Sequence, residues 1–369
     1  MRIGIDVRKI NDTGIGRYIR SLLKYLLPLD QENQYCLFFT PKENNQLHFK
    51  QRNIRKIIDS SGKYSVREHL SLAWKAYRYG LDLFHAPHYV LPLALPCKSV
   101  VTIHDVIHLI YPPPLPFNAA YLYARLIMAG AIRKAQIVLT GSGHTKKDLI
   151  NFFPAYHNNK IKVIPYGVGE EFVPLDRQAT EDFLIRKGMP SNFFLYVGDR
   201  KPHKNLSTLI DAFSVVAQKV DCYLIIAGEL PKDQDPLLTS IVKHRISDRV
   251  IFPGYIPDSE LPFLYNGARA LVFPSLYEGF GFPSLEAMAC GTPVICSNTS
   301  SLSEIVGDNA ILLPPKEVDL WSEAMYNVFT NRDLGQELKE KGIRRARLFS
   351  WQETARQTYQ VYQEILLQP

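Results

Sequence analysis

Short apolar runs alternate with longer segments whose apolar positions recur at helical spacing, and this rhythm holds almost to the end of the chain. In the first half, runs at 3–7, 35–40, 54–58, 81–86, 100–104, 136–140 and 161–165 predict strands. The periodic segments 15–27, 66–79, 117–134 and 145–153 predict helices. The same grammar restarts after Pro174, with strands at 193–197, 223–227, 250–252, 270–273, 293–296 and 310–313. Helices at 206–220, 235–243, 259–266, 283–289 and 302–306 separate them, and three more close the chain, the last over Trp351–Leu367. Strands that alternate with helices belong in parallel sheets covered on both faces. Residues 165–192, with Pro165, Gly167, Gly169 and Pro174 ahead of a polar helix, carry the boundary. The expectation is an α/β chain of two doubly wound domains, 1–170 and 171–350, facing each other across a cleft, with ligand at the carboxyl ends of their strands. Residues 351–369 are expected to pack as a helix back on the first domain.

At 369 residues the chain can bury two separate cores. Cys36, Cys97, Cys222, Cys290 and Cys296 are scattered with no CxxC pair, as in reduced core residues of a cytoplasmic protein. Met1 runs straight into the first strand, so no signal peptide is expected. The longest uncharged stretch, 106–124, holds Pro112, Pro113, Pro114 and Pro116, which a membrane-spanning helix of about 20 residues would not absorb. Charge is uneven. Residues 1–168 carry 23 Lys/Arg against 10 Asp/Glu, +13, and residues 169–369 carry 20 against 26, −6. Such asymmetry implies that the first half meets something anionic. With no basic recognition helix and an acidic second half, nucleic acid is set aside. An anionic leaflet or a lipid-diphosphate acceptor suits the basic half and its Pro-rich apolar loop at 110–117.

The most informative stretch runs from Ser275 to Met288, behind the apolar strand 270–273. Pro283 suits a first helical position and Gly291 sits where the helix should stop. Gly279 and Gly281 let the backbone approach a ligand closely, and the helix start offers N–H groups and a positive dipole end. Glu278 and Glu286, eight positions apart, bracket that turn. Amides would hold a phosphate between them, while the carboxylates would bind neutral hydroxyls; hydroxyls on both sides of a diphosphate describe a nucleotide sugar. The competing reading is an ordinary strand–turn–helix in which Glu286 complements the helix dipole and Glu278 is a solvated loop acid.

Other polar clusters fall at expected strand ends. Asn11 to Tyr18 contains Gly14 and Gly16, either a phosphate cradle or a tight turn. His104 and Asp105 end an interior strand, as a substrate-contacting pair or as plain strand-end polar residues. His85, His88 and His108 lie on neighbouring loops, at spacings that match no standard metal site. Gly198 to Asn205 gathers Arg200, Lys201 and Lys204, cations that suit a leaving diphosphate unless they are a solvated loop. Tyr255 and Ile256 offer backbone for a nucleobase, with Asp258 beside them as ligand contact or helix cap. Asp233-Gln234-Asp235 imitates a metal-binding DxD and is read as a decoy.

Together these residues resemble the retaining glycosyltransferases of family 4, which have the two-domain GT-B fold. Glu278 and Glu286 match the family's E-x7-E signature, Gly198 to Asn205 its G-x-x-x-P-[RH]-K-N stretch, Gly14 to Arg17 its glycine loop, and His104-Asp105 its HD strand end. Residues 140–145 and 164–168 resemble two further segments, although Tyr166 stands where Asn is usual. The resemblance implies that Arg200 and Lys204 bind and stabilise the departing diphosphate without a metal or other cofactor. It implies that Glu286 binds the ribose hydroxyls, and that Glu278 with the backbone of Gly279, Phe280, Gly281 and Phe282 holds the sugar. His104 would lie near the sugar's 6-hydroxyl or the acceptor, with Asp105, Gly14, Gly16, Gly198, Tyr255, Ile256 and Asp258 completing the donor site. Retention without an enzymic nucleophile implies front-face transfer. The loop wording is similar to bacterial mannosyltransferases that use GDP-mannose to build surface polysaccharide on a saccharide or lipid-linked acceptor, at the inner face of the cytoplasmic membrane. Alternatives are a UDP-sugar-dependent family member, a nonhydrolysing UDP-sugar 2-epimerase, and a non-catalytic nucleotide-sugar-binding subunit.

Overall fold

The computed structural model describes residues 1–43, 49, 51–63, 65–112, 119–155 and 158–367. The chain divides into two compact units, Met1–Gly167 with Ser350–Pro369, and Val168–Phe349. In chain order the first holds β1 (Arg2–Asp6), α1 (Thr13–Leu29), β2 (Gln34–Phe39), β3 (Ile54–Ile58), α2 (Val66–Arg78), β4 (Leu83–Ala86), β5 (Lys98–Thr102), α3 (Ile107–Ile110), α4 (Ala119–Lys134), β6 (Ile137–Thr140), α5 (Gly143–Phe152) and β7 (Ile161–Val163). The second holds α6 (Arg177–Arg186), β8 (Phe193–Val197), α7 (Leu206–Val216), β9 (Tyr223–Ala227), α8 (Pro236–Lys243), β10 (Val250–Gly254), α9 (Leu261–Gly267), β11 (Ala270–Phe273), α10 (Phe282–Cys290), β12 (Val294–Ser297), α11 (Ser300–Val306), β13 (Ile311–Leu313), α12 (Val318–Thr330) and α13 (Arg332–Ala346). Helix α14 (Trp351–Leu367) returns to the first unit.

Both sheets are wholly parallel, in the orders β3-β2-β1-β4-β5-β6-β7 and β10-β9-β8-β11-β12-β13. Their central strands are buried on both faces, with Ile5, Leu37, Phe84 and Val101 in one core and Leu195, Ile225, Val272 and Ile295 in the other. In each sheet the winding reverses between two neighbours, β1 beside β4 and β8 beside β11. That reversal opens a crevice at the strand ends where ligands bind in such folds.

Several expected boundaries shift. Strand β5 stops at Thr102, so His104 and Asp105 lie on the loop beyond it. Helix α1 starts at Thr13, which puts Gly14 and Gly16 inside its first turn. Helix α7 ends at Val216 and not at 220, and the chain continues as a turn in which the amides of Lys219 and Val220 both donate to the Val216 carbonyl. Helix α3 falls in a stretch read as loop. Residues 113–117 of the Pro-rich loop, and the first two residues of the helix expected at 117–134, lie outside the described residues. Among the described residues, no helix is long and apolar enough to cross a membrane.

Helix α14 joins the first unit through one apolar stripe, Trp351, Ala355, Thr358, Tyr362 and Ile365. Tyr362 Oη meets His85 Nδ1, and His85 Nε2 lies 2.8 Å from Thr102 Oγ1, so a buried imidazole links the helix to two central strands. Burial, with a smaller push from His104, lowers the His85 imidazole to about 3, and burial also holds His88 and His104 below the usual value. These rings are neutral when folded and take up protons when unfolded, so stability is full above pH 6.5 and falls as pH drops from there toward 3. One such group changes the unfolding free energy by up to about 1.4 kcal/mol per pH unit. Urea midpoints measured from pH 7 to 4 should fall less steeply for His85→Asn than for the unaltered chain.

Candidate active site

The second unit gathers its chemistry at the β8–β11 crevice. Two loops meet there: residues 198–205 after β8 and residues 274–281 after β11. The Leu276 amide donates to the His203 carbonyl at 2.7 Å, and Asn205 Nδ2 donates to the carbonyls of Pro274 (3.1 Å) and Pro315 (2.6 Å). Asn205 adopts φ +55°, a conformation Asn tolerates, and its Oδ1 accepts from Thr208 at 3.0 Å. Sequence reading placed Asn205 in the motif without a task; the structure makes it the pin between the loops.

Across that seam Lys204 Nζ donates to Glu278 Oε1 at 2.7 Å, with both side chains mostly buried. Burial tends to raise the Asp199 carboxyl, but Lys204 and Lys201 together hold it below the usual carboxylate range. Burial and Lys204 both lower the His203 imidazole. The Glu278 peptide is clamped by two hydroxyls, its N–H donating to Ser300 Oγ and its carbonyl accepting from Ser301 Oγ, each at 2.9 Å. None of these clamps is legible in the motif.

The turn then enters α10. Gly281 is the residue before the helix, at φ +95°, and a Cβ there would stand 2.6 Å from Leu302 Cδ2. A side chain would strain the backbone and crowd the Leu302 methyl, and the positive φ by itself favours glycine. Phe280 is buried against Phe282 and Phe349, at ring distances of 5.1 and 6.1 Å, which anchors the turn. Glu286 lies one turn into α10, buried, and its Oε2 accepts from the buried Tyr265 Oη at 2.9 Å. Glu286 is therefore held in the core of the unit, and Glu278, mostly buried and paired with Lys204, is not a solvated loop acid.

Arg200 differs from expectation in its anchoring. Its Nε donates to Asp235 Oδ2 at 3.1 Å and its Nη2 to the Leu230 carbonyl at 2.6 Å. Nη1 is buried without a hydrogen-bond partner among the described residues, as are the hydroxyls of Ser275, Ser284 and Ser297. A buried, unpaired guanidinium nitrogen is costly unless a ligand completes it. Asp235, read as part of a decoy, is Arg200's counter-ion and caps α8 by accepting from the Leu237 amide.

Gly198 closes β8, its amide donating to Ala227, while Gly228 donates to Gly254 at the end of β10. Tyr255 is exposed just beyond β10, with Ile256 and Asp258 following. Glu260, not Asp258, immediately precedes α9.

In the first unit His104 is held by two hydrogen bonds from other segments. Its Nδ1 pairs with Tyr166 Oη at 2.7 Å and its Nε2 with the Pro87 carbonyl at 3.0 Å. A carbonyl accepts only, so Nε2 carries the proton and Nδ1 takes the Tyr166 hydroxyl hydrogen. Both His104 ring nitrogens are therefore engaged within the unit. Tyr166, the departure from the family pattern, stacks on Trp351 at 6.0 Å and holds one side of that ring. Asp105 accepts from the Ile107 amide at 2.9 Å and starts α3. Gly16 is forced by packing, since a Cβ would stand 2.3 Å from the Ile10 carbonyl oxygen, whereas Gly14 faces open space. His85 and His108 are engaged by Tyr362 and Tyr89, and no metal-holding cluster of three occurs among the described residues.

Comparison with known proteins agrees along the whole chain. Residues 13–172 match the family described as "Glycosyltransferase Family 4", and residues 177–345 match "Glycosyl transferases group 1". The O-antigen chain mannosyltransferase RfbU of Salmonella typhimurium is 30% identical over 339 residues, 88% of this chain and 90% of that protein. The O-antigen chain mannosyltransferase B of Escherichia coli is 28% identical over 367 residues, 95% and 96% of the two chains. Among solved structures, sucrose-phosphate synthase from Thermosynechococcus elongatus superposes with a TM-score of 0.80 at 23% identity, covering 99% of both chains. Anabaena HepE in complex with UDP-glucose gives 0.80 at 19% identity, covering 99% of this chain and 100% of that one. Two Rossmann-like units, a Lys–Glu pair at the switch point of the second and family matches over both halves lead to one conclusion: the chain belongs to the family 4 glycosyltransferases.

Proposed function

We propose that this glycosyltransferase moves mannose from GDP-mannose to a saccharide or lipid-linked acceptor during surface polysaccharide synthesis, with retention at the anomeric carbon and without a metal. The observation that carries the reading is the Lys204–Glu278 pair at the β8–β11 crevice, with the unsatisfied Arg200 Nη1 on the same loop as Lys204. Two long-covering relatives named as O-antigen mannosyltransferases support the sugar and the setting. Lys204 and Arg200 receive the diphosphate, and the α10 N-terminus adds its dipole. Glu286 takes the ribose hydroxyls and Glu278 the hydroxyls of the sugar. As the C1–O bond breaks, its electron pair goes to the diphosphate, whose oxygen accepts the acceptor's proton on the face the acceptor attacks. The protein's contribution is electrostatic stabilisation of the developing charge. The basic first unit meets the acceptor at an anionic membrane surface, which supports a peripheral position on the inner leaflet.

The test incubates the chain with GDP-mannose, UDP-glucose, UDP-N-acetylglucosamine or an ADP-sugar, with and without undecaprenyl-diphosphate-linked oligosaccharide. Acceptor-dependent release of GDP, unchanged by chelator, is the expected result. Release only from a UDP-sugar would replace the donor; an epimerised sugar formed without acceptor, or binding without turnover, would overturn the transferase reading.

A further inference from the structure

Helices α2 and α4 carry an apolar surface that the transfer chemistry does not use. Leu70, Trp74 and Tyr77, spaced i, i+4 and i+7 on α2, are each more than half exposed, as are Leu122 and Leu126 on α4. The inward face of α2, with Leu72, Ala73 and Ala76, is buried as expected, so the outer row is an addition to the core and not part of it.

Topology puts the two helices on one side of their sheet. The crossovers β3–α2–β4 and β5–α4–β6 run in the same direction across the strand order, and right-handed crossovers in one direction place their helices on one face. Helix α1 connects β1 to β2 in the opposite direction and packs with α14 on the other face.

The exposed charge on these two helices has one sign. Helix α4 contains no acid, and the single acid of α2, Glu68, is buried and turned inward onto Arg8 at 2.6 Å. Arg67, Arg78 and Arg125 are exposed, and the Arg78 guanidinium lies 5.4 Å over the Trp74 ring. The whole first unit holds 24 Lys/Arg against 12 Asp/Glu. Leu and Trp flanked by Arg, with acids withdrawn, is the composition of a helix that lies in a lipid headgroup layer.

We propose that the outer face of α2, extended by α4, is the surface by which this protein docks on an anionic lipid bilayer. Leu70, Trp74 and Leu126 enter the acyl boundary, while Arg67, Arg78 and Arg125 meet lipid phosphates. The inference rests on the membrane-proximal reading above and names its surface. Charge complementarity selects lipid over a second copy of the chain, because two copies of a basic face repel.

The protein supplies its own reporter. Of its three tryptophans, Trp321 and Trp351 are buried and Trp74 is exposed. Full-length protein is titrated with vesicles of phosphatidylcholine alone or containing about 30% phosphatidylglycerol, following tryptophan emission and co-sedimentation. Binding with a blue shift is expected on the anionic vesicles, at least tenfold weaker on neutral ones and in half-molar salt. The Leu70→Glu/Trp74→Glu variant should bind at least tenfold more weakly, yet keep its thermal midpoint and its turnover on a soluble acceptor. Leu320→Glu, on the second unit, should bind as the unaltered chain does. Equal binding by the Leu70→Glu/Trp74→Glu variant would overturn the assigned face and leave the membrane reading standing. Absence of binding to any vesicle, or a dimer by ultracentrifugation that the double variant abolishes, would overturn docking itself, and neither outcome touches donor chemistry.

Discussion

Replacing Lys204 with alanine is expected to lower kcat by about 10²–10³, measured as nucleotide release at saturating donor and acceptor, without unfolding the protein. The ammonium is the charge nearest Glu278, mostly buried, at the reversal point of the second sheet. Two unit charges about 4 Å apart interact by roughly 4 kcal/mol at an effective dielectric constant of 20, enough to account for a loss of that size. Because charge on the leaving diphosphate grows along the reaction, the loss should fall on kcat as well as on KM. The substitution also strips Glu278 of its cation, so Lys204→Ala/Glu278→Gln serves as the companion variant. If Lys204 acted only as Glu278's counter-ion, the double variant would regain turnover. Recovery to near the unaltered rate would overturn the assignment.

Glu286→Ala should lower kcat/KM for the donor by at least about 10², since a carboxylate hydrogen bond to a substrate hydroxyl contributes about 1.5–3 kcal/mol and a ribose diol makes two. A stability cost is expected as well. Tyr265 Oη, buried and donating to Glu286 at 2.9 Å, would lose its acceptor at a cost of about 1–3 kcal/mol. For a unit of this size each kcal/mol shifts Tm by about 2–4 °C. Tyr265→Phe separates the effects: it keeps the carboxylate, removes one anchor, and should raise KM with little loss of kcat. A Glu286→Ala protein that melts early yet binds donor normally by calorimetry would mark Glu286 as a packing residue.

The strands of the second unit were readable almost to the residue at Phe193–Val197, Tyr223–Ala227 and Ala270–Phe273. A strand buried on both faces of a parallel sheet is an unbroken apolar run with polar or Gly/Pro limits, so its ends are written locally. The E-x7-E turn was legible for a related reason: Gly281, Pro283 and Gly291 are each demanded by backbone geometry at their own position. What failed to show was the partner of each charged side chain. Arg200 finds Asp235, 35 positions on, and His104 finds Tyr166, 62 positions on. No local pattern links such residues, and the DxD-like spacing around Asp235 pointed elsewhere. His104 illustrates the consequence: its type and strand-end position suggest a substrate-contacting residue, and nothing beside it announces the two long-range hydrogen bonds that orient its ring.

Local chemistry thus dictated the secondary elements, the class of sheet, the family and the residue types at the donor loops, because each depends on the few residues beside it. Strand order, the pinning of two loops by Asn205, the His85–Tyr362 link that holds α14 and the inward turn of Glu68 onto Arg8 came from the packed chain. Those features join residues tens to hundreds of positions apart, and only the burial of a shared core brings such residues within hydrogen-bonding distance.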